Sequence, residues 1–188
     1  MTKEIAQEYL NNLSKTINEL DVSGVCEVAT ILKNAVQNNK QIFVCGNGGS
    51  AANSNHFVND LVYGIAKKTG GGAKAISLSA NNAVMTCLAN DVGYDRIFLE
   101  QLAVQGNPGD VLLVFSGSGN SPNILNVCSY AKENQITVCG FLGYDGGKAL
   151  EICDHAVHFN IRDMQISEDL QLVVGHILMK DLCSILAS

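Results

Sequence analysis

The sequence predicts an α/β fold, a doubly wound three-layer sandwich whose five-stranded parallel sheet is covered by helices, with further helices at the N-terminus. From residue 41 onward, short apolar runs alternate with segments of helical length, the pattern of a parallel sheet buried on both faces. Two serine- and glycine-rich loops, residues 45–50 and 116–121, each follow an apolar run. Parallel strands joined by right-handed crossovers end at one edge, so both loops are expected to open into one crevice.

Helical spacing of apolar residues predicts two N-terminal helices. Ile5, Tyr9 and Leu13 fall on one face of a helix over residues 3–20. A second helix, capped by Asp21 or Ser23, is expected to run to about Gln37. Their apolar faces can pack on their own sheet or on a second subunit, and we expect an oligomer.

The alternation of apolar runs with segments of helical length predicts the remaining strands and helices. Strands are predicted at residues 41–45, 73–78, 111–115, 136–141 and 155–159. Helices are predicted at residues 50–65, 81–89, 94–104, 122–133, 147–152 and 164–186. No linker or repeat interrupts the pattern, so residues 1–188 are predicted to form one domain, with residues 1–38 as a helical extension.

Composition excludes several classes of partner. The net charge is −6 and no cluster of lysine or arginine offsets it, which argues against nucleic acid. No apolar run approaches the roughly 20 residues of a membrane span, and the N-terminus has no signal-peptide pattern. None of the seven cysteines forms a CxxC pair. We expect a cytoplasmic protein with buried free thiols, bound to neither nucleic acid nor membrane.

The second loop predicts a phosphate site. Ser121 and Pro122 mark the start of a helix, as N-cap and first helical residue. One serine would suffice for capping, whereas this loop has three, with glycines between them that permit close ligand approach. Hydroxyl donors and free backbone N–H groups at a helix N-terminus hold anions well. The residues expected at the phosphate are Ser116, Gly117, Ser118 and Ser121.

The first loop points to a hydroxyl-bearing ligand rather than a dinucleotide. Ala51 stands where a GxGxxG fingerprint needs its third glycine. Asn47 instead offers an amide, and Ser50 offers a hydroxyl at a helix start.

Two helices carry residues suited to metal binding or proton transfer. His56 and Asp60 are four apart and share a face. Glu168 and His176 are eight apart, two turns along the last helix. Two imidazoles and two carboxylates suit Zn²⁺ or acid/base work. Spacing alone leaves open a purely structural role, since a histidine in an apolar helix is more often a buried, hydrogen-bonded residue.

Five motifs follow one another along the chain: residues 46–52, His56, residues 89–94, residues 116–123, and Glu168 with His176. In this combination the sequence resembles the phosphoheptose isomerases, which are sugar isomerase (SIS) domain proteins. The resemblance spans roughly residues 25–186. It implies conversion of sedoheptulose 7-phosphate to D-glycero-D-manno-heptose 7-phosphate for surface polysaccharide, including lipopolysaccharide, in a homotetramer with sites between subunits, often with zinc.

The resemblance also implies a role for each matching residue. The phosphate would be held by Ser50, Ser116, Ser118 and Ser121, and sugar hydroxyls by Asn47, Asn90 and Asp91. Further substrate contacts are expected from Gly48, Gly49, Asp60, Gly117 and Glu168. The metal ligands would be His56, Asp60, Glu168 and His176, with Asp60 and His176 as the catalytic pair.

Four positions depart from the family pattern. Asp60 stands where glutamate is usual and is about 1.5 Å shorter. Glu168 replaces glutamine, Gly117 replaces threonine, and Gln171 replaces a frequent histidine. We interpret the chain as a divergent isomerase for a heptose phosphate or a related ketose phosphate.

Two other functions fit the same fold. Some phosphoheptose-like SIS proteins are non-catalytic adaptors, such as a tetramer that binds the bacterial replication initiator. A sugar-phosphate-sensing regulatory domain is a third hypothesis, although such domains usually accompany a DNA-binding module that this sequence lacks. Two histidines and two carboxylates in the expected places favour catalysis.

Overall fold

The computed structural model describes residues 2–186, and its centre is a sheet of five parallel strands. The strands are β1 (Ile42–Gly46), β2 (Ala75–Ser77), β3 (Val111–Ser116), β4 (Thr137–Leu142) and β5 (His155–His158). Their spatial order is β2-β1-β3-β4-β5. This is a doubly wound order that reverses direction between β1 and β3, so the predicted fold class is confirmed.

Nine α-helices connect and cover the strands in the described part of the chain. They are α1 (Lys3–Asn18), α2 (Val22–Gln37), α3 (Gly49–Asn59), α4 (Ile65–Thr69), α5 (Asn82–Asp91), α6 (Ile97–Gln105), α7 (Pro122–Glu133), α8 (Gly147–Ile152) and α9 (Met164–Leu186). A π-helical turn, Asp60–Gly64, joins α3 to α4, and a 3₁₀ turn, Tyr94–Arg96, precedes α6.

The π-helical turn corrects the single helix predicted at residues 50–65. A π turn widens the hydrogen-bonded ring by one residue, which sequence periodicity does not reveal. The predicted strand at residues 73–78 is also shorter than expected, since β2 lies at the sheet edge and pairs only with β1.

Each face of the sheet has its own apolar core. On one face, Phe57 of α3 packs near Phe115, which stacks on Phe141 with ring centroids 4.9 Å apart. On the other face, Phe43 and Phe98 pack with residues of α6, α7 and α8. Alternate residues of β3 enter opposite cores, as the two-residue period of a strand requires.

The two N-terminal helices are buried to different extents. Asp21, not Ser23, caps α2 and accepts a hydrogen bond from the Ser23 N–H at 2.9 Å. Helix α2 buries its apolar face on the sheet, whereas α1 leaves Ile5 and Leu10 exposed in the single chain. Tyr9 ties α1 to α9 by donating a 2.6 Å hydrogen bond to the Asp169 carboxylate.

The strand order places both serine loops at neighbouring strand ends. Gly46, the last residue of β1, pairs in register with Phe115 near the end of β3. Ligands of doubly wound sheets bind where the strand order reverses. Among residues 2–186, no helix is both long and apolar enough to cross a membrane.

Candidate functional site

A cavity of about 240 Å³ opens between the two serine loops. Its walls are Asn47, Gly48, Ser50, Phe115, Ser116, Gly117, Ser118, Ser121, Met164 and Glu168. The structure therefore brings most of the predicted phosphate and sugar contacts together, and it adds α9 as the third wall through Met164 and Glu168. We call this cavity the serine pocket.

Glycines of the first loop allow the tight turn from β1 into α3. A side chain at Gly46 would lie 2.7 Å from the backbone of Ser50. Gly48 has a positive φ of 58°, which glycine adopts without strain. A side chain at Gly49 would collide with the carboxylate of Glu168. The Glu168 carboxylate of α9 therefore lies directly against the backbone at the start of α3, and a side chain at position 49 would displace it.

The serine hydroxyls of the second loop remain able to donate. Ser116 Oγ accepts a hydrogen bond from the Gly119 N–H at 3.0 Å, and Ser118 Oγ accepts from the Asn120 N–H at 3.3 Å. The side chain of Ser121 makes no capping bond, although the residue is the N-cap of α7. Donors at the positive end of a helix dipole are suited to an anion.

Met164 accounts for one departure from the family pattern. A Cβ on Gly117 would collide with the sulfur of Met164. The thioether thus occupies the space that a threonine side chain at position 117 would need, and this wall of the pocket is apolar.

Asn47 is held by two partners that sequence reasoning missed. Its amide exchanges two hydrogen bonds, of 2.9 and 2.8 Å, with the buried amide of Asn123, and its Oδ1 also accepts from the Tyr94 hydroxyl at 3.0 Å. One N–H of Asn47 remains free, so it can donate to a ligand oxygen. Asn123, in the first turn of α7, could have been found as the last residue of the 116–123 motif.

A second group of residues joins α3 to α9. The Nε2 atoms of His56 and His176 are 3.0 Å apart. Asp60 Oδ2 lies 3.4 Å from the first and 3.7 Å from the second. This oxygen is buried and makes no hydrogen bond within the described chain, whereas both imidazoles are about half exposed. We call these three residues the histidine cluster.

The histidine cluster fits a divalent metal ion. A tetrahedral ion bound at 2.0–2.1 Å separates its ligand atoms by about 3.3 Å, and the three observed separations bracket that value. The buried Asp60 Oδ2 has no other partner, and a bound cation would satisfy it. His56, Asp60 and His176 are therefore a possible ligand set.

Five predicted residues lie outside a group to which they were assigned. Gly49 and Asp60 were expected to contact substrate but do not line the serine pocket, although Asp60 is in the histidine cluster. Glu168 is not part of the histidine cluster but lines the serine pocket, because eight residues of helix separate it from His176 by about 12 Å. Asn90 and Asp91 do not line the pocket; they are exposed at the end of α5, where the Asn90 amide donates to the Asp91 carboxylate at 2.7 Å. That hydrogen bond, and a second from Cys87, lower the pKa of Asp91.

Cys45 borders the first loop but is not a nucleophile. It is fully buried in β1, and burial raises the pKa of its thiol. A thiol that stays protonated does not attack a carbonyl.

The fold, the serine pocket and the histidine cluster together indicate the class of protein. Residues 7–143 match the family model described as the SIS domain. The five-stranded parallel sheet described above, covered by helices, is consistent with the SIS α/β fold.

Comparison with known proteins narrows the class. The chain is 33% identical to the phosphoheptose isomerase of Burkholderia pseudomallei over 95% of this chain and 90% of the relative. It is 37% identical to that of Nitratiruptor sp. over 77% of this chain and 76% of the relative. A solved phosphoheptose isomerase from Francisella tularensis superposes with a TM-score of 0.90 at 25% identity, over 98% of this chain and all of that one. The chain belongs to the phosphoheptose isomerases of the SIS domain family.

Proposed function

We propose that this chain is an intramolecular oxidoreductase of carbohydrate metabolism, an aldose–ketose isomerase that converts sedoheptulose 7-phosphate to D-glycero-D-manno-heptose 7-phosphate. One observation carries the proposal: His56, Asp60 and His176 converge beside a pocket of hydroxyl donors. The relatives named above share this activity in their names.

The two groups are spaced for a long phosphorylated sugar. Ser50 and His56 are six residues apart on α3, which corresponds to about 9 Å of helix rise. An extended seven-carbon chain with its phosphate in the serine pocket reaches a comparable distance. Phosphate binding would therefore orient C1 and C2 at the histidine cluster, where remote binding energy supports the chemical step.

The reaction moves a proton between C1 and C2 through a cis-enediol. A base removes the C1 proton of the ketose, and an acid returns a proton to C2 while the hydroxyl proton passes from O1 to O2. We assign these transfers to Asp60 and His176. Asp60 Oδ2 has a free lone pair because no described group donates to it, and His176 is exposed enough to meet substrate.

Zinc is the metal that best suits this ligand set of two imidazoles and one carboxylate. His56, Asp60 and His176 would hold it, and the bound ion would polarise the substrate oxygens. Because one lone pair cannot bind the ion and accept a proton at once, Asp60 and His176 would be only partly coordinated to it during turnover. Glu168, two turns away, is assigned instead to a sugar hydroxyl in the serine pocket, where its carboxylate can accept a hydrogen bond.

The remaining expectations are part of the same proposal. The exposed Ile5 and Leu10 of α1 support assembly into a homotetramer, in which Asn90 and Asp91 would reach a site between subunits. All seven cysteines are free, which supports a reducing, cytoplasmic setting. The product would supply nucleotide-activated heptose for lipopolysaccharide or another surface polysaccharide.

The direct test is incubation of the protein with sedoheptulose 7-phosphate and detection of a new aldose phosphate. Turnover by the wild-type protein supports the proposal. No turnover, together with unchanged thermal stability when the sugar phosphate is added, would support a non-catalytic adaptor instead.

A further inference from the structure

Gln171 is buried beneath the serine pocket without lining it. It lies on α9, and it contacts two polar residues of α3, Ser50 and Asn53. All three side chains are buried. Only Ser50 reaches the cavity.

The hydrogen bonds among these side chains have one possible direction. The backbone carbonyl of Glu168 can only accept, and it takes a 2.9 Å hydrogen bond from the Asn53 amide nitrogen. The same nitrogen donates its second proton to Gln171 Oε1 at 3.0 Å. The Gln171 amide nitrogen therefore faces Ser50 and donates to its Oγ at 3.1 Å.

These hydrogen bonds restrict the direction in which the Ser50 hydroxyl can donate its proton. Because Ser50 Oγ accepts from Gln171, its own proton points elsewhere, and the side chain borders the cavity. The neighbouring Ser116 and Ser118 have the same arrangement, since each Oγ accepts a backbone N–H of its own loop. Ser50 Oγ does not accept from a backbone N–H of its own loop, and the Gln171 amide donates to it instead.

We infer that Gln171 is a positioning residue that fixes Ser50 as a hydrogen-bond donor to the phosphate of the substrate. It acts through Ser50 and does not touch the ligand. The inference rests on the proposed function, because it assumes that the serine pocket holds the phosphate.

The same argument explains why glutamine can replace the histidine frequent in this family. A neutral imidazole also accepts at one nitrogen and donates at the other. Glutamine and a neutral histidine can thus each accept one hydrogen bond and donate another, whereas methionine, of similar length, cannot donate and accepts only weakly through its sulfur.

The test is a double-mutant cycle between Gln171 and Ser50 in the full-length protein. The probes are inorganic phosphate, for its dissociation constant, and sedoheptulose 7-phosphate, for KM and kcat. Gln171→Met is expected to weaken phosphate binding and raise KM about tenfold, the loss of about one hydrogen bond to a charged group, with kcat within about twofold. Ser50→Ala should have a similar effect, and the double variant should bind no more weakly than Ser50→Ala.

Two further variants separate positioning from stability. Val174→Ala, a buried α9 residue in the apolar core, should lower the melting temperature but leave phosphate affinity unchanged. Gln171→His should retain affinity within about threefold of wild type, because it preserves both hydrogen bonds.

Several outcomes would overturn the inference. If Gln171→Met weakens phosphate affinity equally in the wild-type and Ser50→Ala backgrounds, the two effects are additive and the residues act separately. Gln171→His binding as weakly as Ser50→Ala would also reject it, even if Gln171→Met did not fold. A wild-type protein that neither binds phosphate nor turns over the sugar phosphate would reject the proposed function as well. Additive effects of the two substitutions in an active enzyme would reject only the role of Gln171.

Discussion

His56 and His176 meet with their Nε2 atoms 3.0 Å apart, although 120 residues separate them in the chain. Their rings are nearly perpendicular, at 74°, and both nitrogens face Asp60 Oδ2. If both rings are neutral, one nitrogen donates to the other. The packing of α9 against α3 thus brings together a cluster of ligand-capable side chains that neither helix contains alone.

Removing His176 is expected to abolish isomerase turnover without unfolding the protein. The ring is about half exposed, so its loss costs little apolar packing, whereas loss of an acid/base group lowers kcat about 100-fold or more. Measuring kcat and the melting temperature of His176→Ala tests this. His155→Ala is the matched control, since His155 pairs with Glu27 at 2.9 Å outside the site. Full activity in His176→Ala would contradict the assignment.

Ser118→Ala should raise KM more than it lowers kcat. In the proposed complex the Ser118 hydroxyl donates to the phosphate, a part of the substrate that does not react, so it contributes mainly to binding. We expect KM to rise about tenfold, the range for a hydrogen bond to a charged group. Steady-state kinetics measure the effect, with Ser129→Ala, an exposed serine of α7, as control. An unchanged KM would remove Ser118 from the phosphate site.

Asp60→Asn should weaken zinc binding at least tenfold. The substitution preserves shape but removes the negative charge of a buried oxygen that has no other partner. Titration of zinc into chelator-treated protein, followed by calorimetry and by the melting temperature, measures the change without relying on activity. Asp145→Asn, at an exposed carboxylate, is the control. Equal zinc affinity in Asp60→Asn and wild type would exclude Asp60 as a ligand.

The attachment of α1 should weaken at high pH. Partial burial, and then the hydrogen bond and charge of Asp169, raise the pKa of Tyr9 from 10.0 to about 12. The folded state therefore holds this proton more tightly than the unfolded state does. The stabilisation is complete below about pH 10 and disappears between pH 10 and 12.

The substitution Tyr9→Phe isolates the contribution of the Tyr9 hydroxyl to the free energy of unfolding. The difference in unfolding free energy between wild type and Tyr9→Phe should be constant below pH 10 and shrink as the pH approaches 12. Denaturant unfolding across this range measures it. A difference that does not change with pH would show that the Tyr9 hydroxyl titrates alike in the folded and unfolded states.

Local patterns predicted the order of strands and helices and the position of both serine loops. Apolar runs such as residues 111–115 can be recognised as strands because a strand buried on both faces needs apolar side chains throughout. Ser121 and Pro122 predicted the start of α7 because residue preferences at the N-cap and at the first helical position are local, even though the Ser121 side chain makes no capping bond. The π-helical turn at Asp60 was missed because one extra residue in a ring leaves no mark on the apolar spacing.

The sequence by itself determined the doubly wound sheet and the edge at which ligand would bind, because burial periodicity and crossover handedness are local or general properties of the chain. Only the tertiary structure decided which side chains share a site. It placed Glu168 in the serine pocket and His176 in the histidine cluster, and it put Gln171 beneath Ser50. These placements depend on the angle and distance at which α9 packs on α3. Many separate side-chain contacts determine that packing together.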